Sequence, residues 1–478
     1  MRLFPPDILT RMVSIFHCLL LLLALLCCNG CLFKAPAAIE KPAVDPIQTW
    51  SSPHSRTEQN DDWLPENHRR TLTGLINEGL ANNPALQQKH EEVEEAIQQA
   101  LITGSDRLPQ LEAFLRGGRE DRGTSANRFS LGLDMGWELD IWGKLGDRTR
   151  AAALSATVAR EGFRKARLDL TRHIAILWYR LVEENQQLEL LLQRQKNLEQ
   201  NLAIIEEGYQ LGVNSSLDFY LARADYSATG ARLENRRKLR LQVRRELEIS
   251  LGRYPTGRIE TDAGLLHDLP AIPAGIVADI LNRRPDLLMA EHRLAAANLQ
   301  LAEAYKNRFP SLKLTGQYGT ASETLRDLTD PEAVLWSLLG GLAAPIFDGG
   351  RLKAKQRQNE ARARQLAAAY QDTLFKAFIE VENGLDREEK LQVQQKHLKQ
   401  ASADSTRARD LAFEQYQHGL VGYVTVLEAE RRAFDAQSTV LAIYNEQIQN
   451  RIDLILALGE DFDISSIGTS SKPNENQP

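Results

Sequence analysis

From Phe129 to Ile141 the chain alternates without a break. Phe129, Leu131, Leu133, Met135, Trp137, Leu139 and Ile141 are apolar, while Ser130, Gly132, Asp134, Gly136, Glu138 and Asp140 are polar or glycine. Strict period two predicts a β-strand with one apolar face. At about 3.3 Å per residue it reaches about 43 Å, enough to cross a bilayer at a tilt. A long sheet burying one face in a soluble sandwich fits the same pattern. Further along, the period changes. On the ladder that starts at Leu170 and advances by four and three to Tyr209, Leu170, Ile174, Leu177, Leu181, Leu188, Leu191, Leu198, Leu202, Ile205 and Tyr209 are apolar or aromatic, and only Glu184 and Gln195 break it. Such a stripe predicts a coiled-coil seam. A helix from Lys144 to Leu211 would be roughly 100 Å long at about 1.5 Å per residue, and it must pack laterally against other long helices.

The chain repeats itself. Pro84, Pro109, Leu111 and Gly118 recur as Pro285, Pro310, Leu312 and Gly319 at an offset of 201, and Gly143, Leu145, Tyr209 and Gly212 recur as Gly350, Leu352, Tyr416 and Gly419 at 207. Each copy reads as a Pro-led helix, a strand pair, a long helix, a sharp loop and a returning helix, so the duplication is of about 190 residues rather than a short-period solenoid. The loops YQLGVNSSLD (209–218) and YQHGLVGYVT (416–425) turn the hairpins, with Gly212 and Gly419 as C-terminal stops and Ser215 or Ser216 as the next N-cap. The second copy alternates less cleanly in its strands, where Leu335, Leu339 and Phe347 fall out of phase, and Gly384, Gln395 and Ser402 weaken its seam. Arg236, Arg237 and Lys238 read as a solvated helix stripe.

Composition narrows the setting. The 478 residues are 43% apolar, 26% charged and 6% aromatic with a net charge of −6, which speaks against a nucleic-acid binder, and the four cysteines all fall in the first 31 positions. Cys18 to Cys28 form an apolar run behind Arg2 and Arg11, the length and flanks of a signal peptide. Asn29-Gly30-Cys31 looks like a lipobox with Cys28 in the place usually held by leucine. Lipidation of Cys31 is the reading, and plain signal-peptidase cleavage the alternative. The remaining chain keeps one cysteine, so no disulfide framework holds it, and Leu32 to Pro65, with five prolines, reads as an extended tether. The nine histidines show no paired-ligand spacing. No catalytic constellation, metal set or cofactor is expected.

The resulting plan is mainly α with a transmembrane β part. It comprises a signal peptide over 1–30, a lipid-anchored tether over 31–65 and a first repeat over 66–254, with strands near 109–118 and 128–141 and a helical hairpin over 143–252. A linker over 255–274 leads to a second repeat over 275–460, with strands near 310–320 and 334–347 and a hairpin over 350–459, and a polar tail over 461–478 follows. Four strands cannot close a membrane barrel, for which about eight is the minimum. If they span, two, three or four chains must share one barrel.

Three stretches carry a family resemblance: NRRPDLLMAEHRLAAANLQLAEAYKNRFPSLKLTG (282–316), APIFDGGRLKAK (344–355) and WELDIWGKL (137–145). The mature chain resembles the outer-membrane efflux factor family, the TolC-like channel proteins, in their lipoprotein branch. The resemblance implies a homotrimer with a twelve-stranded barrel in outer-membrane lipid and a periplasmic α-helical tunnel. It implies service as exit duct for an inner-membrane pump, first of all of the RND type, joined by a periplasmic adaptor. It also implies a gate at the hairpin tips. GLVGYVTVLEAERR (419–432) resembles the family's tip pattern, with Glu428 at the second acidic place, Val421 at the first and Thr425 four further on. The aspartate ring is therefore partly absent. Asp218 matches Thr425 in the first copy, and Tyr209 and Tyr416 flank the turns, so Asp218, Thr425, Glu428, Tyr209 and Tyr416 are the gate candidates. An exit duct for protein secretion, or an adaptor or structural coiled-coil lipoprotein, are the competing readings. An adaptor should have one hairpin between β-rich halves, whereas two equivalent hairpins are read here. For the anchor, Cys31→Ala should abolish labelling by a fatty-acid probe, and persisting label would place the acceptor elsewhere.

Overall fold

The computed structural model describes residues 36–42, 50–51, 63–121, 125–267, 269–270, 283–330 and 333–459. The signal segment, Cys31, most of the tether and the 461–478 tail lie outside the described residues. In chain order the elements are α1 (Glu66–Asn82), α2 (Pro84–Ser105), β1 (Gln110–Asp121), β2 (Ser125–Leu139), α3 (Lys144–Gln210), α4 (Ser216–Ser250), α5 (Pro285–Lys306), β3 (Ser311–Ser322), a 3-10 turn (Arg326–Thr329), β4 (Val334–Ala343), α6 (Arg351–Gln417) and α7 (Tyr423–Ala457). The described residues within 36–40, 99–154 and 294–367 gather into one compact unit, and those within 41–98, 155–293 and 368–459 into another.

The first unit is built on one antiparallel sheet in the order β1-β2-β3-β4. Its apolar side chains are not buried as a sandwich would require: Leu115 is 68% exposed, Leu335 61% and Trp336 76%. β4 is exposed along its whole length, so neither phase of its pattern meets a core, and its irregular alternation no longer needs explaining. The strand expected to run to 347 ends at Ala343. Pro345 brings no N–H to a ladder, and Ile346 and Phe347 stand out at 98% and 92% exposure. Both copies then turn from strand to helix by the same device. Asp140 accepts hydrogen bonds from the Leu145 and Gly146 amides at 3.0 and 2.7 Å. Asp348 accepts from Leu352 and Gly350 at 2.8 and 3.0 Å. Each carboxylate satisfies helix-start donors that would otherwise be orphaned.

The second unit is helical. Ile174, Leu177, Trp178, Tyr179 and Leu181 of α3 pack with Leu72 and Ile76 of α1, Val243 and Leu247 of α4 and Ile448 and Ile452 of α7. Burying each such side chain contributes about 1.5–3 kcal/mol. His68 joins this core, 3.2 Å from the Tyr179 hydroxyl, and burial pushes its imidazole pKa down. The break at Glu184 turns out to be paired: this buried carboxylate accepts from Arg236 Nη1 at 3.1 and 3.0 Å. Arg236 is therefore not part of a freely solvated stripe. The weak second seam has a steric reason. A Cβ on Gly384 would sit 3.0 Å from Leu454 Cδ1, and Ala377, two turns earlier on α6, is buried. Close backbone approach replaces large side chains there.

The segment after α4 is fixed by one buried acid. Glu248 accepts hydrogen bonds from the Gly257, Arg258 and Ile259 amides and the Thr256 hydroxyl, at 2.6 to 3.2 Å. Burial pushes its carboxyl up, and these donors more than offset that, holding it below the usual carboxylate range. A depressed folded pKa gives stability that is present above the unfolded value and lost as pH falls through the folded one. Glu248→Gln should therefore cost about 2 kcal/mol or more at pH 7 and flatten the acid limb of the stability profile. An unchanged thermal midpoint would show that the carboxylate does not hold the segment.

Candidate functional site

Both hairpins end in the same turn. Gly212 and Gly419 adopt φ of +73° and +68°, a region side chains avoid. The Val213 and Leu420 amides reach back to the Gly208 and Gln415 carbonyls at 2.8 and 2.9 Å. Of the two serines that could cap α4 it is Ser215, whose hydroxyl accepts from the Asp218 amide at 3.1 Å. α7 starts from Gly422 without a side-chain cap.

The two tips share a small core of Ile205, Ala222, Tyr423 and Val426, with Phe219 and Tyr416 packed against it. Tyr209 stacks on Phe219, ring centroids 5.3 Å apart at 7°. Tyr416 lies 5.4 Å from the fully buried Tyr423. Burial pushes the Tyr416 phenol up, and the Asp218 carboxylate adds to the shift, so Asp218 and Tyr416 from different hairpins share one electrostatic neighbourhood. Thr425 is exposed. Glu428 is engaged on its own helix, accepting from Arg432 Nε at 2.7 Å and Arg431 Nη2 at 2.9 Å. Its carboxyl is held below the usual range by Arg432 and then Arg431. Of the five gate candidates, Tyr416 feels the Asp218 charge from the other hairpin, while Glu428 is compensated by Arg431 and Arg432 on its own helix.

A second polar cluster lies in the same unit, and sequence reasoning missed it. Arg194 is buried and pairs with Asp225 at 3.2 Å, its guanidinium 4.8 Å from the Phe434 ring. Asn201 donates to Glu430 at 2.8 Å, both side chains buried. Arg194 and Asn201 each stand three residues past an apolar ladder position, Leu191 and Leu198, on the flank of the seam. That placement was the available signal. Burial is the main force pushing the Glu430 carboxyl up, with Asp225 adding to it, against the pull of Arg194 and Arg409 and the Asn201 hydrogen bond.

Long paired helices whose two tips share one small core, together with a sheet whose apolar faces are left exposed, define a tunnel-and-barrel channel protein. A profile of the outer membrane efflux protein family matches residues 75–253 and 276–460. The cation efflux system protein CusC of Escherichia coli O157:H7 is 31% identical over 412 residues, covering 84% of this chain and 88% of that one. The outer membrane protein OprJ of Pseudomonas aeruginosa is 30% identical, covering 89% and 92%. A solved structure of CusC superposes with a TM-score of 0.78 at 28% identity, covering 89% of this chain and 99% of that one. The chain belongs to the outer membrane efflux protein family.

The raised Glu430 pKa makes a prediction about the tip. A folded value above the ordinary 4.5 means stability that is full below about 4.5 and lost as pH rises through the raised value. Glu430→Gln, which mimics the neutral form, should raise the thermal midpoint at pH 7.5 by a few degrees, a gain that shrinks toward pH 4.5. A lower midpoint at pH 7.5 would contradict this.

Proposed function

We propose that three copies of this chain form an outer-membrane exit channel, pairing the free edges of their sheets into a twelve-stranded barrel that their helical hairpins continue as a periplasmic tunnel. The sheet is the observation that carries the reading. Among the described residues β1 and β4 each leave one edge unpaired, and apolar side chains face outward. Unpaired backbone in hydrocarbon costs several kcal/mol per group, so only a closed barrel spans, and one chain falls short of the roughly eight strands closure needs. Family membership supports three copies over two or four.

In this reading the channel is a passive conduit and not an enzyme. An inner-membrane pump of the RND type supplies the energy, a periplasmic adaptor joins the two, and the lipid on Cys31 tethers each chain to the membrane. The tips form the gate. Asp218 and Tyr416 couple one hairpin to the other, Tyr209 braces the first turn, and Thr425 and Glu428 line the approach on α7. Because Arg431 and Arg432 already compensate Glu428, Asp218 is the acidic gate candidate whose charge is left uncompensated among the described residues. Purified protein in planar bilayers tests this: Asp218→Ala should raise leak conductance several-fold and weaken cation preference, with Glu428→Ala producing a smaller change. Unaltered conductance and selectivity in both variants would remove these residues from the constriction.

A further inference from the structure

The register of the sheet decides which side chains share a face, since partners directly across a ladder stand on the same side. The apolar odd positions of β2 pair with Leu111 and Leu115 on β1 and with Leu314 and Tyr318 on β3, and that face continues through Trp336 and Leu338 on β4. No charged side chain stands among them, and this is the lipid face. The other face carries Arg116, Asp134, Glu138 and Lys313, so it is the inner wall of the barrel. β2 and β3 crowd together on this side. A Cβ on Gly132 would sit 2.5 Å from the Tyr318 carbonyl oxygen, and one on Gly319 would collide with the carbonyl oxygen of Leu131.

Two features of the inner wall stand apart from its polar surroundings. The first is apolar. Leu335, across from Gly319, and Leu339, across from Thr315, are 61% and 65% exposed on it. The second is a charge without an answer. Glu112 stands directly opposite Asp134, and Arg116 donates to Asp134 at 2.8 Å with its guanidinium 4.3 Å over the Phe114 ring. One arginine thus serves two neighbouring carboxylates, and Glu112 holds no ion pair among the described residues. Between β1 and β4 runs a trough. Phe114 stands on one side, its Cζ 3.1 Å from where a Cβ on Gly132 would sit, Leu335 stands on the other, and Gly132 and Gly319 form the floor. Three strand spacings of about 4.8 Å separate β1 from β4 by about 14 Å, and no side chain of β2 or β3 fills the row between them.

We infer that this trough is a contact site inside the barrel for organic cations with an aromatic body, the ring lying over Gly319 between Phe114 and Leu335 and the cation turned toward Glu112. Lipid does not reach the inner wall of a closed barrel, and copies of the chain meet at strand edges rather than at this face. Solutes passing through are the occupants left. The free carboxylate selects a cation, and the leucine and glycine surface rewards an apolar body that a hydrated metal ion lacks. The inference rests on the shared-barrel reading and adds to it a site at which the duct itself tells one solute from another.

Planar bilayers holding the purified protein test it, with benzyltrimethylammonium and tetramethylammonium added in turn at the barrel end. The benzyl compound should block the wild-type current at an about ten-fold lower concentration, as expected if roughly 60 Å² of apolar surface leaves water. Leu335→Thr should largely remove that difference, and Glu112→Gln should weaken block by both cations several-fold. Equal block of the wild-type pore by the two cations overturns the site, a comparison that requires no variant. Block unchanged in Glu112→Gln overturns the role of the carboxylate. Loss of the oligomer from Leu335→Thr on unheated gels would place this face against a neighbouring copy and overturn the site as well. A wild-type preparation that carries no current overturns the exit-channel reading and the site with it.

Discussion

An open sheet edge in hydrocarbon is the constraint from which the rest of the structure follows. Each backbone N–H or C=O left without a partner there costs several kcal/mol, and the described residues supply four antiparallel strands with two free edges. The sheet must therefore complete itself with other copies. Once it does, the long helices that enter and leave the strands are drawn into a ring, and their apolar stripes are used along the wall instead of in a globular core. The glycine turns at the far ends keep each hairpin paired to its tips.

The two copies of the repeat meet this demand in different ways. The first packs large side chains, Trp178, Tyr179 and Leu181, between α1, α3, α4 and α7. The second relies on small ones, with Gly384 and the buried Ala377 of α6 allowing close approach. A duplicated chain thus gives two hairpins of equal length, 67 and 35 residues in each, but of unequal packing. Some turns back from the tips the helix interior becomes polar. Arg194, Asp225 and Glu430 place charges, and Asn201 a neutral amide, where the seam elsewhere is apolar. Buried polar groups of this kind bring less net stability than apolar packing but penalise any arrangement that leaves them unpaired.

Much of the fold was legible in the sequence where one physical period dominates over many residues. The strand around Phe129 to Ile141 stood out because one face is apolar and the other not. α3 stood out because its stripe persists for the length of the helix. Legibility failed where a different cause sets the structure. The end of β4 was hidden because Ile346 and Phe347 are apolar, although Pro345 and the Asp348 cap close the strand sooner. The seam of α6 was faint because closeness, rather than bulk, holds it. At the candidate site the turns and the paired tyrosines could be read from the repeat. The Asn201–Glu430 bond could not, since its partners are 229 residues apart and no local pattern joins them. Glu428 stood out by position, and the arginines that satisfy its charge, Arg431 and Arg432, stand at the three- and four-residue spacing of helical ion pairs.

The number of chains in one barrel tests the account most directly. Native mass spectrometry of the protein released from outer-membrane extracts in detergent should give an assembly of three copies, the count that turns four strands per chain into a closed twelve-stranded wall. A monomer would leave the sheet edges open and contradict the account outright, and a dimer or tetramer would replace the twelve-stranded barrel with one of eight or sixteen strands.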